Sequence, residues 1–138
     1  SILTIFYYGS LNLQRGTKML HDLLDANSEV RVIMAGWIAD EGTRNFSVHT
    51  QVDFIGIVNQ KEALDVASKC DYLMCTYEPC NSNNINASPN KIYDAIQVET
   101  PIIINDELNV ASFVKKSKIG IIIPSYFHIN SRNFYQQL

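Results

Sequence analysis

The stretch Ser88-Pro89-Asn90-Lys91-Ile92-Tyr93-Asp94-Ala95-Ile96-Gln97-Val98-Glu99-Thr100-Pro101-Ile102-Ile103-Ile104 decides how this chain is read. Its first half predicts a helix over Asn90–Val98. Ser88 suits the N-cap, and Pro89 suits the first helical position, where its missing N–H is no loss. Its second half, Pro101–Ile104, is an uninterrupted apolar run, as expected of a strand covered on both faces. A helix leading into a strand buried on both sides is the repeating unit of a parallel α/β sheet.

Working outward, the same alternation fills the chain. Ile2–Tyr8, Val30–Ala35, Val52–Ile55 and Tyr72–Thr76 read as strands before it, and Ile119–Ile123 as a strand after it. Thr17–Leu24, Gln60–Lys69 and Asn109–Lys116 read as helices, the first with Met19, Leu20, Leu23 and Leu24 on one face. Trp37–Gln51 is either loop or a short, poorly amphipathic helix. Residues 77 to 89 form a long polar loop rich in Asn. Six strands in this pattern predict an α/β, doubly wound, three-layer Rossmann-like sheet in the order 3-2-1-4-5-6, with right-handed crossovers. The domain is expected over 1–125. The polar tail 126–138, with Phe127, Phe134 and Tyr135, is expected to be an amphipathic segment cut off from its partner. The opening Ser-Ile-Leu-Thr-Ile-Phe-Tyr-Tyr enters a strand almost at once, so the chain reads as a fragment of a longer protein.

Composition narrows the function classes. The chain has 138 residues, 46% of them apolar and 18% charged, with a formal net charge of −3. No run of Lys or Arg offers a nucleic-acid groove, and no stretch approaches the roughly 20 apolar residues of a membrane span. Cys70, Cys75 and Cys80 match no zinc template, and an odd count does not make a disulfide framework. They are read as reduced thiols of a cytoplasmic protein. His21, His49 and His128 are scattered, with no partner pattern, and no metal site is expected.

In the 3-2-1-4-5-6 order, ligands bind outside the carboxyl ends of strands one and four. The loops there are Gly9–Gly16 and Tyr77–Pro89, and the second leads into the helix quoted above. The free N–H groups of a helix start attract anions. Lys91 adds a full charge, and Asp94, one turn on, offers a carboxylate for two hydroxyl groups. A phosphate pocket with a diol acceptor beside it suits a sugar nucleotide. The same residues also suit a capped surface helix with an ordinary Lys–Asp pair. The first loop lacks both Gly-x-Gly-x-x-Gly and Gly-Lys-Ser/Thr, which disfavours NAD enzymes and P-loop NTPases. Gly9 lets the backbone turn, Gly16 lets a helix start near a ligand, and Arg15 can reach a diphosphate with a planar fork of donors. Alternatively, Arg15 is a solvated residue of a βα turn.

Gly9…Arg15-Gly16, Ala35-Gly36-Trp37, Val52-Asp53-Phe54-Ile55-Gly56 and Ser88-Pro89-Asn90-Lys91-Ile92-Tyr93-Asp94, followed by Thr100-Pro101-Ile102-Ile103-Ile104, resemble the C-terminal domain of GT-B glycosyltransferases. The nearest resemblance is to retaining glycosyltransferase family 4, the group 1 transferases. It runs from about Ile5 to Pro124, and the Ser-Pro-Asn-Lys plus Thr-Pro-Ile-Ile pairing is its most specific part. The resemblance implies half of a GT-B enzyme that binds a UDP- or GDP-sugar donor. A separate N-terminal domain would bind a glycan or lipid-linked acceptor, with peripheral association at the inner membrane face in the full-length protein.

Carried over, Arg15 and Lys91 would neutralise the diphosphate, with Gly9, Ser10, Ser88 and Asn90 around it. Asp94 would bond the ribose in place of the family's glutamate. Gly56, Ile57 and Val58 would lie near the base, and Gly36 and Trp37 would also belong to the donor site. Tyr77, Glu78 and Asn86, in the loop after strand four, would reach the sugar and phosphates. No catalytic residue is assigned in this domain, and neither a cofactor nor a metal is implied. The chain departs from the family pattern at Asp94, at its partner position Asn86, at Ser10, where many members are basic, and in the Asn81–Asn86 loop. Two other functions fit the residues: a non-catalytic binding module derived from a transferase half, and a GT-B nucleotide-sugar epimerase.

Overall fold

Ile5, Phe6, Tyr7 and Tyr8 are all buried, so the first strand has no solvent face. Successive side chains of a strand point to opposite sides, and each side therefore needs its own cover. In the computed structural model, which describes residues 1–138, two helical layers supply it. Ile5 and Tyr7 enter a core of 15 buried residues with Leu20, Leu23, Leu24 and Phe134. Phe6 and Tyr8 enter a second core of 14 with Ala63, Ile92, Leu108 and Val114.

The strands are β1 (Leu3–Leu11), β2 (Val30–Ile38), β3 (Val52–Phe54), β4 (Tyr72–Met74), β5 (Ile102–Asn105) and β6 (Gly120–Ile123). They form one sheet in the order β3-β2-β1-β4-β5-β6, and every pairing is parallel. This is the expected α/β Rossmann-like arrangement. The helices are α1 (Thr17–Ala26), α2 (Glu41–Phe46), α3 (Gln60–Ser68), α4 (Ser82–Ile85), α5 (Lys91–Val98), α6 (Ala111–Ser117) and α7 (Ser131–Gln137). A single 3-10 turn, Leu13–Arg15, joins β1 to α1.

Two strands outrun their expected ends. β1 continues to Leu11 and β2 to Ile38 because they pair without a break from Leu3↔Val30 to Leu11↔Ile38. That extra length carries Gly9 and Gly36 beyond β4, which pairs with β1 only at Ile5 and Phe6. The ambiguous stretch after Trp37 contains α2. The Asp40 side chain caps it, accepting from the Thr43 amide at 2.8 Å. The segment 126–138 ends in α7, which lies on α1. Phe134, 1% exposed, finds its apolar partners within this chain.

No helix is long and apolar enough to cross a membrane. All three cysteines are free thiols; Cys70 and Cys75 are buried and Cys80 is exposed.

Candidate donor-binding site

A hollow of about 440 Å³ opens at the carboxyl ends of β1 and β2, walled by the starts of α3 and α5. Its floor exists because two glycines face each other there. Gly9 and Gly36 are register partners with φ of 101° and 129°. L side chains rarely adopt such φ values. A Cβ on Gly36 would collide with the Gly9 carbonyl oxygen, and a Cβ on Gly9 would lie 2.9 Å from the Lys91 ammonium. Glycine at both positions keeps the floor low and lets Lys91 lie across it.

Asp94 sits in the wall, 6% exposed, on the first turn of α5. One carboxylate oxygen accepts from the Tyr8 hydroxyl at 2.7 Å, and the other from Gln60 Nε2 at 2.9 Å. A carboxylate has about four acceptor positions, so each oxygen keeps room for one more donor. Burial, then the bond to Asp94, pushes the Tyr8 hydroxyl well above its ordinary value, so it stays protonated and donates. The Tyr8 ring stacks on Phe6 at 4.1 Å and lies 5.0 Å beneath the Lys91 ammonium. Lys91 is thus held by a ring face and by the nearby charge of Asp94 rather than by a direct ion pair. Its pKa is lowered by burial and by the Arg15 charge, with Asp94 opposing.

Ser88 does not cap α5, contrary to expectation. The helix starts at Lys91, its N-cap position is Asn90 in right-handed helical geometry, and no side chain caps it. Asn90 already has helical backbone angles, and the Ile92 N–H donates to the Pro89 carbonyl at 3.2 Å. The Ser88 hydroxyl therefore does not reach the first-turn amides. The amides of Asn90 and Lys91 donate to no backbone carbonyl. This helix start presents bare N–H groups at the edge of the hollow, which suits an anion better than a capped end would.

Arg15 stands behind Tyr77, outside the lining of the hollow. Its guanidinium lies 4.1 Å from the centre of the Tyr77 ring, and Tyr77 lines the hollow. Its Nη1 is buried with no hydrogen-bond partner. Buried donors are rarely left unmade, and a charged one least of all. The Arg15 charge lowers the pKa of Lys91, and both cations lower that of the buried Cys75 thiol. Burial pushes that thiol up to about 12, with both cations pulling it back.

Of the residues expected at a donor site, Gly9, Gly36, Val58, Tyr77, Ser88, Asn90, Lys91 and Asp94 line the hollow. Arg15 reaches it through Tyr77. Gly56 lies behind the floor, its carbonyl accepting from the Gly36 amide at 2.9 Å. Ser10, Trp37 and Ile57 are exposed on the same end of the sheet but do not line the hollow. Glu78 borders a separate groove with Tyr126 and Phe127. The Asn86 side chain pairs with that of Asn109. Tyr8 and Gln60 were not foreseen. Tyr8 could have been found from the strand period, which puts it on the same face as Phe6; Gln60 has no signal in the sequence.

The histidines also differ from expectation. His21 and His49 meet at Asp25, with ring nitrogens 3.5 Å and 2.9 Å from its carboxylate oxygens. His49 Nδ1 accepts from the Gln51 amide at 3.0 Å, which places the proton on Nε2, facing Asp25. A metal ligand at Nε2 would need that proton gone and the amide bond broken. The trio is therefore a hydrogen-bonded cluster tying α1 to the turn before β3.

The sheet order, the helices on both faces and a hollow at the β1/β4 switch point define a Rossmann-like architecture. No family model matches the sequence, and no curated protein is similar to it in sequence. Solved structures do match in fold. The chain is similar to AviGT4, a glycosyltransferase involved in avilamycin A biosynthesis, with a TM-score of 0.71 at 15% identity over 97% of this chain and 40% of that one. It is similar to Anabaena Alr3699/HepE, solved in complex with UDP-glucose, with a TM-score of 0.69 at 13% identity over 99% of this chain and 38% of that one. WaaG, a glycosyltransferase involved in lipopolysaccharide biosynthesis, gives a TM-score of 0.67 at 12% identity over 99% and 36%. The chain thus has the fold of one part of the GT-B glycosyltransferases, and it spans well under half the length of each of these three.

Proposed function

We propose that this chain is the donor-binding, C-terminal half of a retaining glycosyltransferase, taking a sugar from a UDP- or GDP-sugar to a glycan or lipid-linked acceptor. The observation that carries the reading is one hollow that joins Lys91 to the bare amides at the start of α5, with the Arg15 guanidinium stacked on Tyr77, one of its lining residues. That hollow also holds a buried carboxylate. The fold shared with Anabaena Alr3699/HepE, solved with UDP-glucose, supports the same ligand class.

In this reading the bond between the anomeric carbon and the diphosphate oxygen breaks, and negative charge grows on the departing diphosphate. Arg15, Lys91 and the α5 amides stabilise that charge, a task that needs fixed donors already in place. The remaining acceptor positions of Asp94 take the ribose hydroxyls. The reading assigns charge neutralisation to the protein's own cations, with the nucleotide sugar as substrate and no resident cofactor. The acceptor would come from an N-terminal domain, and three free thiols suit a cytoplasmic setting.

Titration of the chain with UDP, GDP, uridine and guanosine tests the proposal. Trp37, the only tryptophan, stands beside Gly36 as a fluorescent reporter. One diphosphate should bind measurably, and Lys91→Ala should weaken it by about tenfold or more while changing its nucleoside little. Equal losses for both, or no diphosphate binding at millimolar concentration, would remove the assignment.

A further inference from the structure

The Arg15 guanidinium is held without touching an acidic group, and the reason lies in the segment after β6. Tyr126 reaches back to the 3-10 turn between β1 and α1. Its hydroxyl donates to the Leu13 carbonyl at 2.8 Å and accepts from the Gly16 amide at 2.8 Å. One phenol thus grips both ends of the turn that carries Arg15.

The grip continues to Tyr77, which lines the hollow. The Tyr126 amide lies 3.1 Å from each carboxylate oxygen of Glu107. Glu107 accepts in turn from Asn105 Nδ2 at 3.0 Å. Asn105 is fully buried at the end of β5 and clamps the Tyr77 backbone from both sides. It accepts from the Tyr77 amide at 3.0 Å and donates to the Tyr77 carbonyl at 2.9 Å. The ring closes where the Tyr77 side chain carries the Arg15 guanidinium. Thr76 adds a strut, its hydroxyl donating to the Arg15 carbonyl at 2.7 Å.

Each link fixes a different degree of freedom. Tyr126 fixes the backbone from which Arg15 departs, and Asn105 fixes the ring on which its head rests. Burial raises the Tyr126 pKa, so the phenol keeps the proton it gives to Leu13. A rigid cation on a long side chain avoids much of the rotamer entropy that binding would otherwise cost.

We infer that Tyr126, through Glu107 and Asn105, is a positioning residue that locks Arg15 and Tyr77 into one preset unit at the edge of the hollow, which Tyr77 lines. This rests on the reading above that the hollow takes a diphosphate; the lock itself belongs to the ligand-free protein.

Tyr126→Phe tests it, since it removes the hydroxyl and keeps the ring. In the ligand-free chain, the Arg15 Nε–Hε and Gly16 amide NMR signals should shift and broaden. In titrations, UDP or GDP should bind about five- to tenfold more weakly, with uridine and guanosine within about twofold. In an Arg15→Ala background, Tyr126→Phe should cost almost nothing more, because the two act as one unit. Glu107→Gln, which loosens Tyr126 from outside the hollow, should repeat the pattern more weakly and serves if Tyr126→Phe fails to fold. Unchanged Arg15 and Gly16 signals overturn the inference, as do equal losses for nucleoside and diphosphate, or losses that add to those of Arg15→Ala. If neither diphosphate binds the unsubstituted chain, the functional reading fails, and the ligand-free signals still decide whether the lock exists.

Discussion

Lys91 carries the sharpest consequence of its surroundings. Burial lowers its pKa from the ordinary 10.5. The unfolded chain therefore binds more protons than the native one between the lowered value and 10.5, and ligand-free stability rises with pH across that window. Diphosphate binding has the opposite sign, because it needs the ammonium. Affinity should fall as pH rises through a point below the titration of a free lysine, and calorimetry from pH 7 to 10 would locate it. Asp94→Asn makes a different prediction. Both oxygens of Asp94 already receive donors, from Tyr8 and Gln60. An amide offers one acceptor and one donor group, so it can no longer accept from both the buried Tyr8 hydroxyl and Gln60 Nε2 as the carboxylate does. Chemical denaturation should show a loss of about 1–3 kcal/mol. Lys91 and Asp94 could be read from the sequence because they share one helical turn. Tyr8 and Gln60 could not, because their approach to Asp94 is made by the tertiary fold across spans of 86 and 34 residues.

Elements differ in how plainly they announce themselves. Ile102, Ile103 and Ile104 have no polar alternation, and all three are fully buried, so the pattern read from them was an interior strand and the sheet order followed. α2 has only six residues and buries just Thr43 and Phe46, too little period to separate helix from loop. α7 was harder still. Its one buried side chain, Phe134, stands among polar residues, and its partners on α1 lie near the other end of the sequence. A lone aromatic does not say what it packs against. The structure makes α7 part of the first core, and Phe134→Ala should cost about 3–5 kcal/mol, as large-to-small changes of a buried phenylalanine do. A thermal or denaturant melt checks this; a loss under about 1 kcal/mol would mean that α7 is only a surface attachment.

At the scale of the molecule, the hollow belongs to no single segment. Its floor is the end of β1 against β2, its lysine is the first residue of α5, the arginine behind Tyr77 comes from the turn after β1, and its acid rests on residues from β1 and α3. Sequence order could place the two loops at one switch point because a parallel sheet allows few topologies. It could not give the lock around Arg15, which depends on which of many polar groups end up facing one another. The pairing of β1 with β4 has a temporal consequence. Residues such as Thr4 and Asp71, 67 positions apart, must meet before either side of the pocket has a neighbour. Contacts so distant along the chain form slowly, since closing a long loop costs entropy before anything rewards it. A newborn or refolding chain should therefore be blind to nucleotide until its central zipper shuts. Stopped-flow refolding with a fluorescent nucleotide analogue should show capture only in the slowest phase, so that recognition ripens last.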